Sequence, residues 1–190
     1  YRIYEGKNSL EQNPVIFLIH GYGSNADDLF SFSPYLPKTH SIISLQAPLR
    51  LASQSYAWYP LYPKEDGSFE SNLEMAFKAR DLLIENIDFL TNKYKINIGD
   101  ISLLGFSQGA ILSWALAYGN PKKVRRVIAL SGYIHESIET AISPEFIAYA
   151  AHGINDPVIP IDFARNSILK LSEKYTGIEY YEFPDGHNIS

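Results

Sequence analysis

Ile101-Ser102-Leu103-Leu104-Gly105-Phe106-Ser107-Gln108-Gly109 is the stretch on which the reading turns. Its first half is a short, continuous apolar run of the kind that forms a strand buried on both faces. Its second half is Gly-x-Ser-x-Gly, and it opens directly into Gln108 to Tyr118, which is apolar almost all round and reads as a buried helix. Gly119, Asn120 and Pro121 then supply a helix stop. A serine at a sharp turn between a buried strand and a buried helix needs small neighbours, because the helix must pass close to the strand. Gly105 and Gly109 meet that need. The pattern alone is weak and its strand-turn-helix context makes it strong. It marks Ser107 as a covalent nucleophile, against the alternative of a serine that merely caps a helix.

Outward from this turn, further strands are predicted at Val15 to His20, Ser41 to Gln46, Val127 to Ser131, Phe146 to His152 and Ile178 to Phe183. Helices are predicted between them. Asn72 to Tyr94 carries Leu73, Ala76, Phe77, Leu83, Ile84, Ile87 and Leu90 on one stripe, and Pro160 starts another with Ile161, Ala164, Ile168, Leu171 and Tyr175. Apolar strands alternating with helices imply an α/β architecture, a mainly parallel central sheet with helices on both faces. The stretch Leu49 to Phe69, aromatic and punctuated by prolines, reads as a long functional loop. With 190 residues and 46% hydrophobic content, residues 1–190 are expected to form one domain.

In this kind of sheet the acid and then the base follow the nucleophile along the chain. His135, His152 and His187 qualify by position. His187 stands in a turn after the last strand, from which a side chain can reach over the strand ends. His135 and His152 have no suitable acid between them and the serine, and are read as structural. Asp156 lies just past a strand end and before the Pro160 helix. Its rivals are Asp162, inside that helix, and Asp185, too near His187 to reach the far ring nitrogen. The expected triad is therefore Ser107, Asp156 and His187. His20-Gly21-Tyr22-Gly23 ends the first strand with glycines that let amides turn outward, so the backbone N–H groups of Tyr22 and Gln108 are the expected oxyanion hole.

Several classes are disfavoured. A net charge of -5 and basic residues gathered in nothing longer than Lys122 to Arg126 argue against nucleic acid. The absence of cysteine excludes disulfides and thiolate nucleophiles. Scattered histidines give no metal-ligand pair, and no metal is expected. Apolar runs such as Val15 to Ile19 are too short to span a bilayer, and no basic-then-apolar signal opens the chain. Cytoplasmic residence is the resulting expectation. Because the sequence starts at Tyr1, trimmed ends are also expected.

Taken together, His20-Gly21-Tyr22-Gly23, Ala57-Trp58-Tyr59, Gly105 to Gly109, Ser131-Gly132, His152-Gly153 with Asp156 to Pro160, and Gly186-His187 resemble the phospholipase/carboxylesterase family, which includes acyl-protein thioesterases and small bacterial carboxylesterases. The resemblance implies an α/β-hydrolase fold with little or no cap domain, no cofactor, and small-molecule or lipid-like acyl esters as substrates, acted on by a monomer or homodimer. It also offers Trp58, Tyr59, Leu61 and Tyr62 as one wall of an acyl groove. The residues themselves leave that open, since the same aromatic cluster could pin the long loop to the core. The chain departs from the family pattern in having Pro60 where an aspartate usually follows the Trp-aromatic pair, and in ending at Ser190 where a helix usually continues. Two other readings stay in view, a noncatalytic binding module of the same fold and a small serine peptidase.

Overall fold

The computed structural model describes residues 1–65, 69–138 and 143–189. A seven-stranded sheet is built from β1 (Arg2–Tyr4), β2 (Val15–Ile19), β3 (Ser41–Leu45), β8 (Ile101–Phe106), β9 (Val124–Leu130), β10 (Ile147–Gly153) and β11 (Ile178–Phe183). Its order is β1-β3-β2-β8-β9-β10-β11. The intervening strands are β4 (Leu49–Ala52), β5 (Ser55–Ala57), β6 (Leu61–Pro63) and β7 (Phe69–Ser71). All neighbours in the large sheet run parallel except β1 on β3, so the C-terminal ends of β2, β3, β8, β9, β10 and β11 share one edge.

Alternation along the strands sorts the apolar side chains into two layers. Val15, Phe17 and Ile19 of β2 join Leu103 of β8 in the larger cluster, packed with α2 (Leu73–Tyr94), α3 (Gln108–Gly119) and the Ile161–Lys174 helical segment. Ile16 and Leu18 face the other way, toward Leu29 of α1 (Ala26–Phe30). Helices thus cover both faces, as the strand-helix alternation requires. The long helix starts where the sequence places it: Asn72 caps it by accepting from the Met75 amide at 3.1 Å.

Three features depart from the sequence reading. The stretch 49–69 is not an open loop. It pairs β4 with β5 and β6 with β7 as two antiparallel ribbons, the first turning at Gln54 with φ of 56°. Three-residue strands carry too little alternation to register as a period. The expected single helix after Pro160 is divided into α4 (Ile161–Ala164), a π-helical turn (Arg165–Leu169) and α5 (Lys170–Lys174), an extra residue in the winding that apolar spacing does not reveal. β1 and α1 are too short and polar to be anticipated.

Candidate active site

Ser107 sits between β8 and α3 at φ 54°, ψ −118°, a backbone conformation that side chains other than glycine's seldom adopt. The flanking glycines explain how the turn closes. A Cβ on Gly105 would run into the backbone of Gly109 and Ala110, and one on Gly109 into the carbonyls of Ile19 and His20. Ser107 is anchored by its own amide, which donates to Leu130 O at 2.9 Å, while its carbonyl accepts from Ala110 and Ile111.

His187 comes from the loop after β11 and Asp156 from the loop after β10. His187 Nε2 lies 2.9 Å from Ser107 Oγ, and His187 Nδ1 lies 2.7 Å from Asp156 Oδ2. The neutral ring that fits this pair donates from Nδ1 to the carboxylate and accepts the serine proton at Nε2. The other carboxylate oxygen, Asp156 Oδ1, accepts from the amides of Val158 and Ile159 at 2.8 and 2.9 Å. Gly153 lets the two loops meet, for a Cβ there would strike the carbonyls of Asp185 and Gly186. The ring of Phe106 lies beside His187, with centroids 5.0 Å apart. The three side chains singled out from chain order are thus brought together.

The segment after β2 passes directly over Ser107: a Cβ on Gly21 would lie 3.2 Å from that of Ser107. The Gly23 amide is used by Tyr56 O and the Ser24 amide by Gly21 O. Tyr22 lies just ahead of them, exposed on the same turn, and Gln108 supplies the first amide of α3, an N–H that a helix leaves without an internal partner. His20, fully buried, holds this turn in place. Its Nδ1 donates to Gly21 O at 2.8 Å and its Nε2 accepts from the Ala47 amide at 3.1 Å, so a neutral ring is required. Burial pushes its pKa below the ordinary histidine value, in agreement with that role.

A profile of the phospholipase/carboxylesterase family matches residues 3–190. The chain belongs to the phospholipase/carboxylesterase family. It is a carboxylic ester hydrolase. Acyl-protein thioesterase 1 of Debaryomyces hansenii is 26% identical over 191 residues, covering 90% of this chain and 82% of that protein. Probable feruloyl esterase C of Aspergillus terreus is 29% identical over 84% of this chain, and the chain spans about half (55%) of its length. The crystal structure of esterase PE8 superposes with a TM-score of 0.86 at 23% identity, covering 100% of this chain and 91% of that one. The likeness to PE8 concerns the fold.

Against this family background the aromatic segment needs correction. Trp58 and Tyr59 are 4% and 3% exposed and belong to the main core cluster, so they form no open acyl wall, although Tyr59 keeps an edge on a small crevice beside α3. The reason is a clamp from Gln108, the residue after Ser107. Gln108 Oε1 accepts from the Trp58 amide and Gln108 Nε2 donates to Tyr59 O, both at 2.9 Å, while Trp58 Nε1 donates to His20 O at 2.8 Å. Leu61 packs partly against the core, and Tyr62 is half exposed on the ribbon edge. An apolar crevice instead runs beside α3 between Tyr59, Phe77, Ile111, Ala115 and Tyr133, enclosing about 30 Å³. A larger cleft, about 930 Å³, opens between Tyr133 to Ile138 and the helical segment from Asp162 to Lys174. Neither the crevice nor the cleft is lined by Ser107, Asp156 or His187.

Among the described residues no group of three or more His, Cys, Asp or Glu side chains is arranged to hold a metal. No described helix is long and apolar enough to cross a membrane. The contributions of His20 and of the Gln108 side chain were missed in the sequence. Both act through backbone carbonyls and amides of distant segments, and the only available signal was their place inside the two glycine motifs.

Proposed function

We propose that the enzyme hydrolyses carboxylic esters and thioesters through a covalent acyl-Ser107 intermediate, with His187 as general base and then acid, and Asp156 as the group that fixes its tautomer. The observation that carries this reading is the continuous relay from Asp156 through His187 to Ser107, at 2.7 and 2.9 Å, with the serine presented on a constrained turn. Ser107 Oγ attacks the acyl carbonyl as its proton passes to His187 Nε2, and the resulting imidazolium donates that proton to the departing alkoxide or thiolate. Water repeats the sequence on the acyl-enzyme and frees the carboxylic acid. The Tyr22 and Gln108 amides face the charge that develops on the carbonyl oxygen.

The acyl group enters the crevice beside α3, lined by Phe77, Ile111, Ala115 and Tyr133 together with Tyr59, in place of the Trp58 wall. The crevice is small beside the neighbouring cleft, about 30 against 930 Å³, so short acyl groups fit best. A panel of p-nitrophenyl esters from acetyl to palmitoyl, with a palmitoyl thioester beside it, tests this. Efficiency falling beyond the short chains is expected, and a palmitoyl optimum would contradict the crevice assignment. Cytoplasmic residence, a single domain over 1–190 and a monomer or homodimer belong to the same proposal. Cell fractionation, limited proteolysis and sedimentation decide them in turn.

A further inference from the structure

His152, which the chain order sets aside as structural, is the penultimate residue of β10, four residues before Asp156, and the two side chains are fully buried. Its Nε2 lies 3.3 Å from Asp156 Oδ2, the same oxygen that receives His187 Nδ1, and 2.8 Å from Ile159 O. Its Nδ1 lies 3.3 Å from Gly132 O. These neighbours are acceptors only, and the closer ones gather at Nε2, so the proton belongs on Nε2. Asp156 then accepts from two amides on Oδ1 and from His187 on Oδ2, while His152 Nε2, bonded to Ile159 O, stands 3.3 Å from that same oxygen. The carbonyls that hold the ring in turn belong to the working loops. Ile159 is one of the amide donors to Asp156, and a Cβ on Gly132 would lie 3.2 Å from Ser107 O.

We propose that His152 is a positioning residue for ester hydrolysis: its Nε2–H holds the carbonyl of Ile159, whose amide binds Asp156, and places the positive end of the N–H dipole 3.3 Å from the Asp156 Oδ2 that His187 uses, fixing the carboxylate and moderating its pull on the catalytic imidazole. This rests on the triad reading above. A polarised N–H 3.3 Å from Oδ2 offsets part of the negative charge that the His187 hydrogen bond feels. Without it the carboxylate stabilises the His187 imidazolium more strongly, and a higher pH is needed to obtain the neutral base. The charged and titratable groups around His152 are few. Asp156 and His187 meet at the shared oxygen, and Glu182 stands at the paired position on β11, where Arg165 binds it at 2.7 and 2.8 Å.

The test compares kcat/KM against pH for the wild type, His152→Leu and His152→Gln, with melting temperatures measured alongside. The leucine variant should lose about ten- to a hundredfold in kcat with KM little changed, and its acid limb should move to higher pH. The glutamine variant, which keeps an N–H of similar reach, should return toward the wild-type limb. If the leucine variant keeps the wild-type limb and is merely less stable, His152 is a packing residue and the proposal is overturned. Nitrogen-15 histidine spectra of the wild type give a readout that needs no variant: a proton on His152 Nε2 is expected, and a bare Nε2 overturns the inference. Failure of the triad itself would show separately, as hydrolysis that survives Ser107→Ala.

Discussion

At the scale of single residues, the strained serine and two buried histidines divide the work. Ser107 is held at positive φ, and removing its hydroxyl leaves the turn intact because alanine has the same Cβ. Ser107→Ala is expected to lower turnover by about a millionfold with unchanged circular dichroism; retained activity in a folded variant would contradict the nucleophile assignment. His20 makes a prediction about stability. Burial lowers its pKa in the folded state below the ~6.5 of an unfolded histidine, so between the two values the unfolded chain binds more protons. Its contribution is therefore complete above the unfolded value and is lost as pH falls through the lowered folded one. Urea midpoints at pH 7.5 and pH 5 should drop in the wild type and differ less in His20→Gln. An equal drop in both would remove His20 as a cause. Trp58 also becomes a core residue. Trp58→Ala should destabilise by about 3–5 kcal/mol and depress hydrolysis of all chain lengths alike, whereas selective loss of long acyl esters on a stable protein would restore the groove expectation.

At the scale of elements, the decisive unit is β8, the turn and α3. Gly109→Ala places a methyl against the carbonyls of Ile19 and His20, which are backbone atoms and cannot swing aside. It should cause loss of folded protein in a thermal melt, and a wild-type melting temperature would contradict the close approach of α3 to β2. This unit was legible because a buried strand, two glycines and an apolar helix all speak to one short geometry. The same holds for Asp156 and His187, since strand ends and chain order restrict which loops can meet. The ribbons between Leu49 and Ser71 were not legible, because strands of three or four residues show no period and their pairing depends on the Gln108 clamp from a remote helix. The π-helical turn at Arg165–Leu169 hid for a related reason: one extra residue in the winding leaves the apolar composition unchanged. Nor could His152 be read as more than structural, for its partners are two carbonyls and a shared carboxylate oxygen that only the folded loops bring together.

At the scale of the molecule, parallel strands deliver the reacting groups to one edge of the sheet. The loops that follow β2, β8, β9, β10 and β11 bring the Tyr22 amide, Ser107, Gly132, Asp156 and His187 to that edge, so a backbone built for burial also gathers the groups of the proposed mechanism. The central claim is that this convergence activates one hydroxyl out of all those on the chain. It is tested most directly by treating wild type and His187→Ala with a fluorophosphonate and locating the adduct by mass spectrometry. A single adduct on Ser107 in the wild type, nearly abolished in His187→Ala, is the predicted result. An adduct on another residue, or labelling of Ser107 that is indifferent to the loss of His187, would contradict the account.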